Sequence, residues 1–205
     1  AGNLSGEIVG GFVGYADGRP DIEIVNCYNL GDVPDGEYSG AFVGSTYGNI
    51  EGYISNCFTV IQGHLLGDKI SEKFGYGIHF ENVYYIAKDG IAAIVSGDEE
   101  DMEGLYAMKE ADFYNGTVAK KLFDWIELDD KGIPVEDGTD GGVWVVNSPD
   151  EKVLPQLDVN SKMRAVFLIA GENGKIADGK NVTMYEMGKS TPLPGAADVT
   201  RTGYT

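Results

Sequence analysis

Short apolar runs separated by glycines fill the first part of the chain, up to about residue 62. Phe12 and Val13 are bracketed by glycines, and Ile22 and Ile24 alternate with polar residues, a pattern that Tyr53 and its neighbours continue further on. Alternation is typical of a strand with one buried face, and glycine marks corners where φ becomes positive or backbones approach closely. We therefore predict two short strands, joined at glycine corners.

The whole pattern occurs twice, because residues 6–29 return at 36–59 with an offset of 30 and no gap. A unit of this size cannot bury its own apolar face, so consecutive units must stack. We therefore predict a mainly β chain that begins with a short parallel β-solenoid (β-helix-like), in which residues 80–85 are a worn third copy. The repeated positions are Gly10, Phe12, Val13, Gly14, Gly18, Ile24, Asn26 and Cys27, which return as Gly40, Phe42, Val43, Gly44, Gly48, Ile54, Asn56 and Cys57.

The repeated asparagine and cysteine have structural interpretations. Equivalent residues of stacked strands lie about 4.8 Å apart. Asn26 over Asn56 is predicted to form an amide ladder at a corner that hydrogen-bonds the turn backbone. Cys27 lies over Cys57 in the same arrangement, and a disulfide between them stays possible. We favour the interpretation that both cysteines are small apolar core residues. A nucleophilic thiol needs a basic partner, and the nearest histidine, His64, lies outside the repeat.

These residues carry a family resemblance. The pattern GGFVG…G…I.NCYN.G.V resembles the GLUG repeat of bacterial surface proteins, over roughly residues 4–62. The resemblance implies a secreted or cell-surface bacterial protein, and such repeats also stand beside IgA-protease-type metallopeptidases. Because Ala1 falls just inside a repeat, we expect further copies ahead of it. Residues 1–90 are assigned to this repeat region.

Residues 91–160 are predicted to be a helical and Trp-strand segment that caps the repeats, an order similar to that found after GLUG repeats. The stretch from Asp98 to Ile126 reads as two helices, the second capped by Asn115. Carboxylates at 98–103 are interpreted as a solvated helix start rather than a metal site. The acidic loop 129–141 lacks the EF-hand ligand order, so turn chemistry is favoured over weak calcium binding. The helix faces are Met102, Leu105 and Met108, then Val118, Leu122 and Ile126 with Trp125 alongside, and the strand is 143–146.

Residues 163–205 have a different pattern, with strands at 163–170 and 181–187. Their ending, TRTGYT at 200–205, resembles the Listeria–Bacteroides repeat of internalin-type surface proteins. That resemblance implies a small β-grasp-like module. The Phe and Gly-Trp that follow in the family are absent, so the module is interpreted as incomplete.

The charge balance restricts the partners. Lys+Arg 15 against Asp+Glu 33 gives a formal net charge of -18, which argues against nucleic acid and against anionic membranes. No run of 18 or more apolar residues occurs, so membrane insertion is not expected. We expect a monomeric part of a larger extracellular protein, whose partner is a host or cell-surface protein or glycan.

Recognisable catalytic motifs are nearly absent from the sequence. His64 and His79 belong to no His-Glu-x-x-His motif, and G-x-S-x-G, P-loop and Rossmann fingerprints are absent. His79 is interpreted as a half-buried strand residue. Carboxylates are plentiful enough that a glycosidase pair stays open. The sequence therefore favours a non-enzyme without cofactor or metal, acting as stalk or adhesive scaffold; the alternative is an accessory region of a large secreted hydrolase.

Overall fold

The computed structural model shows a mainly β chain with parallel sheets and two short helices in the residues it describes. It divides into two compact units, Ala1–Tyr114 and Asn115–Thr205. Neither described helix is long and apolar enough to cross a membrane. The structure describes residues 6–18, 21–34, 36–48, 50–67, 76–94, 102–129, 131–132, 134–135, 139–146, 149–158, 160–167, 174–176, 182–186 and 199–201.

Each of the two sequence copies in the first unit forms four strands rather than the two predicted. The first of the two predicted strands begins at Val13, so Phe12 precedes it. Every strand of the first copy pairs in parallel with the strand 30 residues further along, as Ile24 with Ile54. The strands are β1 Val9–Gly10, β2 Val13–Gly18, β3 Asp21–Val25 and β4 Tyr28–Asn29, then β5 Ser39–Gly40, β6 Val43–Gly48, β7 Ile50–Ser55 and β8 Phe58–Thr59.

The third copy predicted at 80–85 is confirmed. Strand β9 (Tyr76–Glu81) pairs in parallel with β7, and β10 (Val83–Tyr85) pairs in parallel with β8. The offset between copies has shortened, since Ile54 lies opposite Phe80. Strand β11 (Leu105–Ala107) adds a fourth level in parallel with β10, so that the two longer sheets have the orders β3-β7-β9 and β4-β8-β10-β11.

The first predicted helix is wrong where the structure describes it, because Leu105 lies in β11. Gly104 has a φ of 78°, which ends any helix at that point. The edge of β10 then supplies hydrogen bonds to an extended backbone, and Met102 and Leu105 pack against the core. Apolar residues three apart therefore reach the core without a helix. Residues 98–101 lie outside the described residues.

The core of the first unit consists of rows of apolar side chains that run from copy to copy. One row is Ile24, Ile54 and Phe80, and bridges at Val43, Leu66 and Ile94 mark another. A fully buried side chain of this kind contributes about 1.5–3 kcal/mol. The first row explains the alternation along β3, where Ile22 and Ile24 are buried and Glu23 between them is exposed. The first unit also contains helix α1, Glu110–Tyr114, whose Phe113 is buried.

The second unit is built from one helix and antiparallel strand pairs in its described part. Helix α2 (Thr117–Phe123) buries Val118 and Leu122 as predicted, but Ile126 lies beyond its end. The predicted capping by Asn115 is wrong, because the N-cap position is Gly116, whose φ of 83° needs no side chain, and Asn115 one residue earlier accepts a hydrogen bond from the Thr117 N–H at 3.0 Å. The strands are β12 Trp144–Val145 with β13 Gln156–Leu157, β14 Met163–Phe167 with β16 Val182–Glu186, and β15 Gly174–Ile176 with β17 Val199–Arg201.

Candidate functional site

The repeated asparagines form the predicted amide ladder, and a third member extends it. Asn56 Nδ2 donates to Asn26 Oδ1 at 2.6 Å, and Asn82 Nδ2 donates to Asn56 Oδ1 at 2.6 Å. All three have positive φ, of 51°, 51° and 56°. After glycine, asparagine is one of the residues that adopt this left-handed conformation most readily. The ladder therefore holds three successive corners in one conformation.

The ladder ends at the fourth level, where Gly104 takes the place of asparagine. A Cβ atom on Gly104 would lie 2.0 Å from the Phe80 carbonyl oxygen, so the corner keeps its positive φ but has no room for a side chain. The Tyr84 hydroxyl donates to Asn82 Oδ1. Burial raises the pKa of Tyr84, with a smaller contribution from Tyr106, so this hydroxyl stays protonated as a donor.

The two cysteines are free thiols on adjacent levels, with Cys57 buried and Cys27 half-buried. The Cys27 N–H donates to Cys57 Sγ at 3.3 Å, and each thiol donates to the carbonyl two residues before it at 3.1 Å. At the next two levels, the positions equivalent to the cysteines are Val83 and Leu105, which pair with each other. Cys57 lies within the core cluster and Cys27 packs against it, which supports the interpretation as small core residues.

The two thiols differ in acidity. Hydrogen bonding with the Cys57 side chain lowers the pKa of the Cys27 thiol to about 7. Burial raises the pKa of the Cys57 thiol. Cys27 is therefore the more acidic thiol of the pair and Cys57 the less acidic one.

The histidines and the described part of the acidic loop make contacts with the backbone. His64 Nδ1 lies 2.7 Å from the Ala92 carbonyl oxygen, whereas His79 is exposed on β9 rather than half-buried as expected. In the loop 129–141, Asp129 and Asp140 accept hydrogen bonds from backbone N–H groups two residues further on, at 2.9 and 2.8 Å. These bonds are the ordinary turn chemistry that the sequence favours. Over the described part of the chain, no three His, Cys, Asp or Glu side chains lie close enough together to hold a metal ion.

An exposed row on the sheet β3-β7-β9 is the candidate binding surface. Glu23, Tyr53 and His79 lie in register on the face opposite the buried isoleucines, and we call them the aromatic row. The Tyr53 and His79 rings lie 5.4 Å apart, and Tyr53 is 52% exposed. The sequence predicts that Tyr53 and its neighbours continue the strand alternation. Its register with Glu23, between Gly52 and Ile54, places it on the outer face.

By its geometry the first unit belongs to the mainly β structures in which repeated copies pair through parallel strands. The chain matches no protein-family model, no curated protein and no solved structure. A function is therefore inferred from its own residues and contacts.

Proposed function

We propose that the chain is a non-catalytic structural and adhesive module of a secreted or cell-wall-anchored bacterial surface protein. Its repeats form a short parallel β-solenoid that serves as stalk and binding scaffold. The observation that carries the proposal is the in-register parallel pairing of Ile24, Ile54 and Phe80, at sequence offsets of 30 (54 − 24) and 26 (80 − 54). Parallel neighbours this close in sequence, three deep, fit a chain that winds repeatedly in one direction.

The sequence resemblances support the extracellular location. Residues 4–62 resemble the GLUG repeat, and residues 163–205 resemble the Listeria–Bacteroides repeat. The antiparallel pairs β14-β16 and β15-β17 fit a small β-grasp-like module in the second of these regions. Both resemblances lead to bacterial surface proteins, so the two halves of the chain agree on the setting.

The aromatic row supports the adhesive part of the proposal. A ring exposed on a rigid sheet packs against the apolar face of a sugar or against an aliphatic side chain at little entropic cost. Glu23 lies beside Tyr53 in the row, and a carboxylate accepts hydrogen bonds from sugar hydroxyls or from basic groups. The first 63 residues contain eight acidic residues and one basic residue, Arg19, so the surface disfavours anionic partners.

A binding array of glycans and host-matrix proteins tests this function. We expect the chain to bind at least one class of ligand and Tyr53→Ala to lose that binding with an unchanged circular dichroism spectrum. Tyr106→Ala is the matched control, because Tyr106 is 49% exposed but lies on a different sheet. If the chain binds nothing on the whole array, the adhesive role is contradicted and the spacer role is what stays.

The non-catalytic part needs a separate assay. Incubation with casein, IgA and a panel of polysaccharides should release no product over many hours. Clear turnover by the purified chain would show that it is an enzyme and contradict the proposal.

A further inference from the structure

Three equivalent glycines of the stacked copies differ in what surrounds them. A Cβ atom on Gly44 would lie 2.6 Å from the carbonyl oxygens of Gly14 and Val9, which belong to the first copy. One level further, a Cβ atom on Gly67 would lie 1.9 Å from the Gly44 carbonyl oxygen. At Gly14 the nearest such atom is the Ile8 carbonyl oxygen at 3.9 Å. A neighbouring copy therefore requires glycine at 44 and 67, whereas no described atom requires it at 14.

Two equivalent pairs of aromatic rings show the same difference. Phe12 stacks on Phe42 at 5.9 Å, and Tyr28 stacks on Phe58 at 5.3 Å. The rings of the second copy are fully buried, but Phe12 is 44% exposed and Tyr28 is 39% exposed. Each first-copy ring thus has one face covered by the second copy and much of its remaining surface in solvent.

The backbone and the apolar interior are also open on this side. Among the described residues, β7 and β8 pair with a strand on each side, whereas β1, β2, β3 and β4 each pair on one side. A cleft of about 490 Å³ is lined by residues of the first copy alone, with Val13, Ala16, Ile22 and Ile24 forming its apolar part. We call the side of β1–β4 that faces away from β5–β8 the outer edge. Within the described part of the chain, it carries strands with one paired neighbour each, next to exposed apolar atoms.

We propose that the outer edge is a docking surface for one further copy of the same repeat, joined in tandem ahead of Gly6 and stacked in the parallel register that joins the first two copies. The inference rests on the stacked-repeat part of the proposed function and names the partner of that stack. The contacts between the first two copies continue directly into it. The carbonyl of the added copy occupies the space over Gly14, as the Gly14 carbonyl does over Gly44, and its aromatic side chains cover Phe12 and Tyr28.

A second molecule of this chain fits the outer edge less well. Two outer edges facing each other pair their strands in the antiparallel direction, so the contacts seen between the copies are not reproduced. Such pairing also brings together two acidic first copies, each carrying Asp17 and Glu23 at the cleft. A tandem copy keeps the register already present in the molecule.

The test duplicates residues 6–35 in place, directly ahead of Gly6, and compares the extended protein with the original. In the original protein we expect Gly14→Ala to leave the melting temperature unchanged or slightly higher, because the added methyl meets open space. Gly44→Ala, the matched reference, should lower it by at least about 5 °C, because a backbone atom blocks the methyl. In the extended protein, the melting temperature should rise and Gly14→Ala should become as damaging as Gly44→Ala.

Far-UV circular dichroism should follow the melting of the repeats. Trp125 and Trp144 both lie in the second unit, so their fluorescence reports on that unit and serves as the internal control. An extended protein that is no more stable, does not fold, or tolerates Gly14→Ala as well as the original overturns the inference. So does a dimer of the original protein that Gly14→Ala abolishes, which would assign the outer edge to a second molecule. A harmless Gly44→Ala would contradict the stacking itself, whereas a silent binding array affects only adhesion.

Discussion

The first and second copies of the repeat share a phenylalanine, a valine, an isoleucine and a cysteine at equivalent positions but have different surroundings. Phe12 and Phe42 occupy the same position, yet one is 44% exposed and the other fully buried. The second copy lies between two others, whereas the first has a described neighbour on one side. In stacked repeats, the free energy that a given side chain contributes therefore depends on the number of neighbouring copies.

The largest expected difference is between the two phenylalanines. Phe42→Ala should reduce the free energy of unfolding by about 3–5 kcal/mol, because it leaves a cavity in a closed core. Phe12→Ala should cost about 1 kcal/mol, since a large part of that ring is already in water. Urea denaturation followed by circular dichroism measures both values. Equal losses would show that the outer edge is covered in solution.

The asparagine ladder should show a smaller difference in the same direction. Asn56→Ala removes two side-chain hydrogen bonds and places alanine at a φ of 51°, so we expect a loss of about 2–3 kcal/mol. Asn26→Ala breaks one bond within the ladder and should cost less. Asn56→Gly is the control, because it restores the backbone conformation but not the bonds. If it restores full stability, the ladder's hydrogen bonds contribute nothing.

The cysteines should differ in reactivity rather than in stability. The alkylation rate of Cys27 by iodoacetamide should rise with pH around a midpoint near 7, because hydrogen bonding with Cys57 favours the thiolate. The rate falls below this midpoint as the thiolate is protonated. Cys57 is buried and should react only in denaturant.

Replacing the hydrogen-bonding thiol tests the cause. Cys57→Val inserts the residue that the third copy has at the equivalent position, Val83, and removes the Cys57 thiol. The alkylation midpoint of Cys27 should then move up toward 9.0, the ordinary value for a thiol. An unchanged midpoint would mean that another group lowers the pKa.

The smallest expected effect is at the aromatic row. Tyr53→Ala should change the free energy of unfolding by no more than about 0.5 kcal/mol, because Tyr53 is half exposed and contacts His79 at the surface. Thermal melting by circular dichroism is sufficient to measure this. A larger loss would mean that the row is part of the core packing rather than a surface available to a partner.

Much of the stacked unit could be predicted because its residues are periodic. The offset of 30 residues, the corner position of Asn26 and the core position of Cys57 all follow from one alignment of the sequence with itself. The third copy was also recognisable from Asn82 and Tyr84, although its spacing had shortened. Periodicity identifies equivalent residues without any knowledge of their contacts.

The fourth level could not be predicted, because Leu105 has no counterpart in the repeat pattern. Apolar residues three apart are compatible with a helix, and the free edge of β10 that makes them a strand exists only in the folded chain. The aromatic row also depends on the folded chain, because Tyr53 and His79 are 26 residues apart in sequence and the pairing of β7 with β9 brings them side by side.

Which residues are equivalent follows from the sequence alone, since the same letters recur at a regular spacing and equivalent residues stack when copies pair in register. The alternation along the strands and the corners that accept asparagine or glycine follow from it too. Which of two equal residues is buried, and which glycine is required, depends on the folded chain. Burial and close approach depend on what lies against both sides of a copy, and a copy's own sequence does not contain that information.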